Sequence, residues 1–111
     1  MKGADIVMIS TSLPDAQAAR ILAKNLVERR MVACAKVLDQ VQSIYWWDGE
    51  VTCEDEVILL MKTTRGVSED VRKAVLDKHP YDLPELMIFA PDFVESAYGD
   101  WVETNVSKKF I

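Results

Sequence analysis

Three side chains in this 111-residue chain, those of Cys34, His79 and Glu85, have the chemistry to bind a metal ion together. Thiolate and imidazole suit copper and zinc, and a carboxylate adds charge compensation. Cys34 and His79 also have an ordinary structural role: free cysteine is among the most buried residue types, and a histidine at a helix C-terminus can hydrogen-bond the last carbonyls. Because sequence separation does not show whether the three converge, the hypothesis is limited to weak metal binding.

The segment from His79 to Glu85 has the composition of an ordered loop. Pro80 and Pro84 restrict the backbone dihedral φ, and Tyr81 and Glu85 can fix the loop through hydrogen bonds. A rigid polar loop is also what a preformed ligand pocket needs. The sequence therefore leaves both a structural and a ligand-binding role open for this loop.

Apolar periodicity predicts the elements that position these residues. In chain order they are a strand at 5–11, a helix from 14 to about 30, strand arms at 31–47 and 50–64, a short helix from Ser68 to His79, a strand at 86–90 and a helix near 96–107. The first six follow the ferredoxin-like βαββαβ order, with two helices on one face of an antiparallel sheet. We therefore expect one α+β domain over residues 1–111, with an added C-terminal helix.

The two arms predict an unusually long hairpin, bent midway at Asp39-Gln40. Asp48-Gly49 is a strong turn signal, because both central positions of a type I′ turn need positive φ. Arms of about 15 residues at about 3.3 Å each would reach about 50 Å, whereas a 100-residue domain has a radius of gyration near 13 Å. The hairpin should therefore extend beyond its own core. A hairpin that bends back onto that core is the alternative.

Large apolar side chains lie close to the hairpin turn: Val41, Ile44, Tyr45, Trp46 and Trp47. In a monomer they would expose a large apolar patch to water. Burial in a neighbouring subunit under closed rotational symmetry would cover this patch and pair exposed strand edges. We therefore predict a symmetric homo-oligomer with these five residues in its interface. Stacking of a ligand on Tyr45 and Trp47 is the alternative use of these rings.

Composition argues against several classes of function. With 13 basic and 18 acidic residues the net charge is −5, and no polybasic block occurs, so we expect no nucleic-acid partner. Apolar runs are far shorter than the roughly 20 residues of a membrane span, and the first five residues do not resemble a signal peptide. We expect a soluble, cytoplasmic protein with no membrane partner.

The inventory of reactive residues favours a binding protein over an enzyme. The chain has one histidine, no glycine-rich phosphate loop and no nucleophile elbow. Its two cysteines, Cys34 and Cys53, are too few for a disulfide framework, so we expect reduced thiols.

Five separated motifs resemble those of the CutA1 family, small trimeric proteins associated with tolerance to divalent cations such as copper. They are Ala33-Cys34-Ala35, Ser43-Ile44-Tyr45-Trp46-Trp47-Asp48-Gly49, Lys62-Thr63, His79-Pro80-Tyr81-Asp82-Leu83-Pro84-Glu85, and Tyr98 with Trp101. The similarity spans nearly the whole chain. It implies a ferredoxin-like homotrimer that requires no cofactor and binds copper(II) or another divalent metal ion.

The resemblance also implies a cleft between subunits near the loop that begins at His79. By analogy Lys62 lies beside this loop, where it could pair with Glu85 or attract an anionic ligand, and Tyr81 lines the cleft. The alternative function is therefore a signalling or scaffold trimer that senses a small anionic metabolite in these clefts.

The sequence departs from many family members at four places. Asp39-Gln40 stands where a Pro-Gly pair is common, Lys36 where many have Asn, and Asp82 where many have Glu. Ser10 occupies a position where some members carry a second cysteine. A copper site that requires two thiols is therefore not expected.

Overall fold

The computed structural model describes residues 5–107, so the expectations for residues 1–4 and 108–111 fall outside it. The elements are β1 Ile6–Leu13, α1 Ala16–Glu28, β2 Cys34–Trp47, β3 Glu50–Thr64, α2 Arg65–Lys78, β4 Leu86–Phe89 and α3 Ser96–Asn105. The strands form one antiparallel sheet in the order β2-β3-β1-β4. The predicted α+β class and ferredoxin-like order are confirmed. No helix within residues 5–107 is long and apolar enough to cross a membrane.

The second helix is longer than the sequence predicted. It begins at Arg65, directly after β3, so the predicted start at Ser68 is wrong. The Ser68 hydroxyl does not cap the helix but donates to the carbonyl of Arg65 at 2.8 Å. Helical geometry starts early because it lets three valines at four-residue spacing bury against the sheet. They are Val67, Val71 and Val75.

The main core lies between α1, α2 and one face of the sheet. Odd-numbered side chains of β1 and β3 point into it, because successive side chains of a strand alternate between faces. Its largest members are Ile9, Leu13, Leu22, Leu26, Met31, Leu59, Met61, Val71 and Val75. We call this side of the sheet the helix face.

Among the described residues, the opposite side of the sheet is covered only at one end. There α3 packs Val102 against Ile6 and Ala33. We call this side the open face. Its side chains are Met8, Ser10, Cys34, Lys36, Leu38, Ile58, Leu60, Lys62, Met87 and Phe89.

The long hairpin extends beyond the core, as predicted. Asp48 and Gly49 have φ values of 50° and 80°, which confirms the predicted type I′ turn. β3 pairs with β1 only from Val57 onward, so residues 50–56 pair with β2 alone. We call residues 41–56 the distal hairpin. The molecule is 47 Å long and its radius of gyration is 14.7 Å, against about 13 Å for a compact domain of this size.

The predicted bend at Asp39-Gln40 is a β-bulge, in which these two residues lie opposite Val57 alone. Gln40 has φ 61°, in the left-handed region, and its N–H donates to the Asp39 carboxylate at 2.7 Å. The extra residue exchanges the two faces of β2. Odd-numbered side chains lie on the helix face before the bulge, and even-numbered ones lie there after it.

We predict that Gln40→Gly stabilises the protein. A left-handed backbone costs a residue with a Cβ about 1–2 kcal/mol, and glycine avoids most of that cost. The free energy of unfolding should rise by about 1 kcal/mol in urea denaturation at a fixed protein concentration. Gln42→Gly is the matched control, because Gln42 has no positive φ; it should lose about 0.5–1 kcal/mol. Equal destabilisation by both would contradict the account of the bulge.

Candidate functional site

The loop between α2 and β4 is attached to β1 by the ring of His79. Its Nε2 donates to the carbonyl oxygen of Ser12 at 2.8 Å and lies 3.2 Å from Oγ1 of Thr11. Its Nδ1 accepts the backbone N–H of Tyr81 at 3.1 Å. This pattern assigns a neutral imidazole protonated on Nε2. Because both nitrogens are engaged, a metal ion at His79 must displace one of these bonds.

Thr11 connects the two ends of the same loop. It is fully buried, and its hydroxyl donates to the carbonyl oxygen of Glu85 at 2.7 Å while contacting His79 Nε2. The sequence interpretation missed this residue. The available signal was the Ser10-Thr11-Ser12 run inside an otherwise apolar strand, since buried hydroxyls require partners.

The loop also contacts the base of the distal hairpin. The Tyr81 hydroxyl donates to Glu56 at 2.9 Å, and the Ser43 hydroxyl donates to the other carboxylate oxygen of Glu56. Burial, followed by the bond to Glu56, raises the pKa of Tyr81 well above its ordinary value. The loop therefore couples β1 to the hairpin.

Cys34 lies on the open face, half-buried at the start of β2. Its Sγ is 3.5 Å from the hydroxyl oxygen of Tyr98 in α3. Burial and the contact with Cys34 raise the pKa of Tyr98 to about 12.

Lys62 is the cross-strand neighbour of Cys34. Within one chain it therefore lies beside the thiol and not beside the loop; the predicted position in a cleft between subunits stays a prediction. No ion pair joins it to Glu85 in the described part of the chain. The register explains the difference, because Lys62 pairs with Met8, whereas the loop meets β1 at Thr11 and Ser12.

The sheet separates Cys34 from His79. Cys34 is on the open face, whereas His79 contacts Thr11, whose side chain is on the helix face. Cys34 pairs with Lys62 of β3, whereas Ser12, whose carbonyl His79 contacts, pairs with Ile58. These two β3 positions are four residues apart, or about 13 Å along the strand. Residues 5–107 contain no group of three or more His, Cys, Asp or Glu side chains that could hold a metal ion. The predicted ligands Cys34, His79 and Glu85 do not converge within one chain.

An acidic depression of about 730 Å³ lies where the hairpin meets the start of α1. Four carboxylates are part of its lining: Asp15, Asp39, Asp55 and Glu56. The Asp15 carboxylate already accepts the N–H of Ala18 at 2.8 Å and caps α1. The charge of this depression disfavours an anionic ligand there.

The distal hairpin exposes apolar side chains on both faces. On one face, Ile44, Trp46 and Val51 are 68%, 73% and 60% exposed. On the other, Trp47 is also exposed, whereas the half-buried Tyr45 donates its hydroxyl to Glu54. That bond is the main cause that raises the pKa of Tyr45 to about 12.

Comparison with known proteins places this fold and these motifs in one family. The family model described as CutA1 divalent ion tolerance protein matches residues 7–105. The chain belongs to the CutA1 family. It is 36% identical over 101 residues to the divalent-cation tolerance protein CutA of Thermus thermophilus, which covers 91% of this chain and 96% of that protein. The predicted family resemblance is confirmed.

Other CutA1 relatives agree in both sequence and fold. CutA of Pyrococcus horikoshii is 28% identical over 103 residues, covering 93% of this chain and all of that protein. The structure of CutA from Synechococcus elongatus PCC7942 superposes with a TM-score of 0.91 at 30% identity, over 96% of this chain and 95% of that one. The CutA1 structure from Thermus thermophilus superposes with a TM-score of 0.86 at 33% identity, over 92% of this chain and 99% of that one.

His79→Ala should loosen the loop. The substitution leaves the Ser12 carbonyl and the Tyr81 N–H without their protein partner, which costs about 1–3 kcal/mol of unfolding free energy. Amide hydrogen exchange across 81–85 should accelerate. Lys78→Ala, at the neighbouring exposed position, should change stability by less than about 0.5 kcal/mol. Unaltered exchange in His79→Ala would show that these bonds do not hold the loop.

The raised pKa of Tyr81 predicts a specific alkaline instability. Above pH of about 10 the unfolded chain loses its phenolic proton while the folded chain keeps it. The stability that Tyr81 contributes is therefore complete below that pH and is lost as pH rises through the folded pKa. Urea denaturation from pH 8 to 11 should show a shallower alkaline decline in Tyr81→Phe than in wild type. Parallel curves would contradict this coupling.

Proposed function

We propose that this CutA1-family chain works as a homotrimer that binds copper(II) or a similar divalent cation weakly, without a required cofactor and without catalysis. The observation that carries the proposal is the apolar distal hairpin, which the described residues of one chain leave uncovered. Assembly covers the hairpin and also places the open face of one chain near its neighbours. Cation binding at Cys34 is then a property of the assembly.

The case for assembly rests on the strand pairing. An isolated two-stranded ribbon is marginally stable in water, and three or more strands or a packed layer are needed to support it. Residues 50–56 pair with β2 alone, while Ile44, Trp46 and Val51 face water. Closed three-fold symmetry lets every chain both give and receive such an arm, and the family resemblance supports three copies.

The case for cation binding rests on Cys34 and on the relatives. A half-buried thiol on the open face offers a soft ligand to copper or zinc. CutA of Thermus thermophilus is a divalent-cation tolerance protein by name. His79 and Glu85 can join Cys34 only from a neighbouring chain, and His79 must first give up a hydrogen bond. That competition accounts for weak binding.

One observation favours a second candidate, a trimer that senses a small anionic metabolite. Lys62 of β3 and Lys36 of β2 lie on the open face, in adjacent strands. Lys62 pairs with Cys34, and Lys36 pairs with Leu60, two residues away along each strand. Two ammonium groups on one face attract an anion. The acidic depression beside Asp15 does not fit this ligand class.

Sedimentation velocity tests the assembly. Trp46→Glu puts a charge into the apolar face of the distal hairpin and should convert the trimer to monomers. Ile21→Glu is the matched control, because Ile21 is 63% exposed but belongs to α1 and not to the hairpin, and should leave the trimer intact. A monomeric wild type, or a trimeric Trp46→Glu, would contradict the proposal.

Thermal-shift measurements separate the two candidate ligands. Copper(II) at ten times its Kd should stabilise wild type by about 1.4 kcal/mol. Cys34→Ser should lose this shift, whereas Cys53→Ser should keep it, because Cys53 is exposed on the distal hairpin. Stabilisation by small carboxylates or phosphates but by no metal ion would favour the anionic ligand instead.

A further inference from the structure

We propose that the open face of one chain receives the distal hairpin of a second copy, and that Lys36 and Lys62 of the first chain face Glu50 and Glu54 of the second. This inference rests on the homotrimer proposed above and deepens it. It names the surface that covers one side of the hairpin, and it gives the two lysines a protein partner instead of a free anion.

The tip end of the open face is acidic. In the distal hairpin, the side chains of β3 on this face include those of Glu50, Glu54 and Glu56, and the hairpin contains no Lys or Arg. Glu54 accepts one bond, from the Tyr45 hydroxyl, and a carboxylate has acceptor sites for more. Trp47 is the cross-strand neighbour of Glu50, so its exposed ring is on the same side of the sheet. The hairpin therefore presents negative charge beside a large apolar ring.

The base of the open face is basic. Lys62 is half-buried in β3, and Lys36 is exposed on the adjacent strand β2. No ion pair involves either lysine within the described residues, and no Asp or Glu belongs to the described strand positions of this face outside the distal hairpin. Leu38 and Phe89 are exposed on the same face. The base therefore presents positive charge beside an apolar surface, which is the complement of the hairpin tip.

These two charged regions cannot meet within one chain. Glu54 and Lys62 lie eight positions apart in β3, or about 26 Å along the strand. An ion pair requires its charged atoms to lie within about 4 Å of each other. A tip-to-base contact between copies brings them together, and a heterologous contact of this kind closes into a ring when each copy is rotated by a third of a turn from the last. Each chain then gives one tip and receives another.

Apolar burial and charge have different roles in this contact. Burial of Trp47 against Leu38 and Phe89 favours association but is non-directional. Charge complementarity selects the partner surface and fixes the register. The chain carries a net charge of −5, so whole copies repel one another. Opposite charges at tip and base offset this repulsion in the tip-to-base arrangement, whereas a tip-to-tip arrangement would bring carboxylates together.

Sedimentation equilibrium of the full chain tests the inference by charge reversal. Lys36→Glu/Lys62→Glu should weaken association at least about 10-fold, because carboxylates then face Glu50 and Glu54 of the second copy. Glu50→Lys/Glu54→Lys should weaken it likewise. The combined fourfold variant keeps the wild-type net charge and restores opposite charges across the contact, so its association should recover most of the loss.

Lys24→Glu/Lys73→Glu is the matched control. It changes the net charge by the same amount as the reversal of Lys36 and Lys62, but its two exposed lysines belong to α1 and α2, which pack on the helix face. Its association should match wild type. Circular dichroism establishes that each variant is folded, and Lys36→Glu with Glu50→Lys repeats the test at exposed positions if Lys62→Glu does not fold.

Three outcomes would contradict the inference. Wild-type association in Lys36→Glu/Lys62→Glu, or no recovery in the fourfold variant, would overturn it and leave the trimer standing. Unaltered association together with loss of a thermal shift from inorganic phosphate would assign the lysines to a free anion and overturn it equally. A monomeric wild type would overturn the homotrimer as well.

Discussion

The apolar face of the distal hairpin is in contact with water among the described residues of one chain, and this contact is unfavourable. Within residues 5–107, residues 50–56 have one strand partner, and Ile44, Trp46 and Val51 have no layer packed over them. Hydrophobic burial contributes about 25 cal/mol per Å², so large exposed aromatic and aliphatic side chains strongly favour association. The bulge at Gln40 serves the same end, because it sets which side chains of β2 face each side of the hairpin.

The sheet separates the candidate ligands Cys34 and His79, so they cannot bind one cation within a single chain. Within one chain, Cys34 and Tyr98 lie on the open face, whereas the ring of His79 is hydrogen-bonded to β1 at the other side of the sheet. A cation site with both thiol and imidazole therefore needs a second copy. The loop from His79 to Glu85 is bonded to β1 through Thr11 and to the hairpin through Tyr81, so it links the distal hairpin to the core.

Local sequence signals predicted the backbone well. Asp48-Gly49 specified the turn by its positive φ values, and the apolar runs specified the sheet. The start of α2 was missed, because a good capping residue at Ser68 was outweighed by burial of Val67 one residue earlier. The position of Lys62 and the role of Thr11 depend on strand register and on contacts between distant segments, which a single sequence does not encode locally.

Hydrogen–deuterium exchange of the wild-type protein reports whether the distal hairpin is covered in solution. If assembly covers it, the amides of residues 41–56 should be protected to the same degree as the paired amides of β1 and of residues 57–64 in β3. Rapid exchange throughout 41–56, with the remaining sheet protected, would mean that the hairpin stands free in water and would contradict the account.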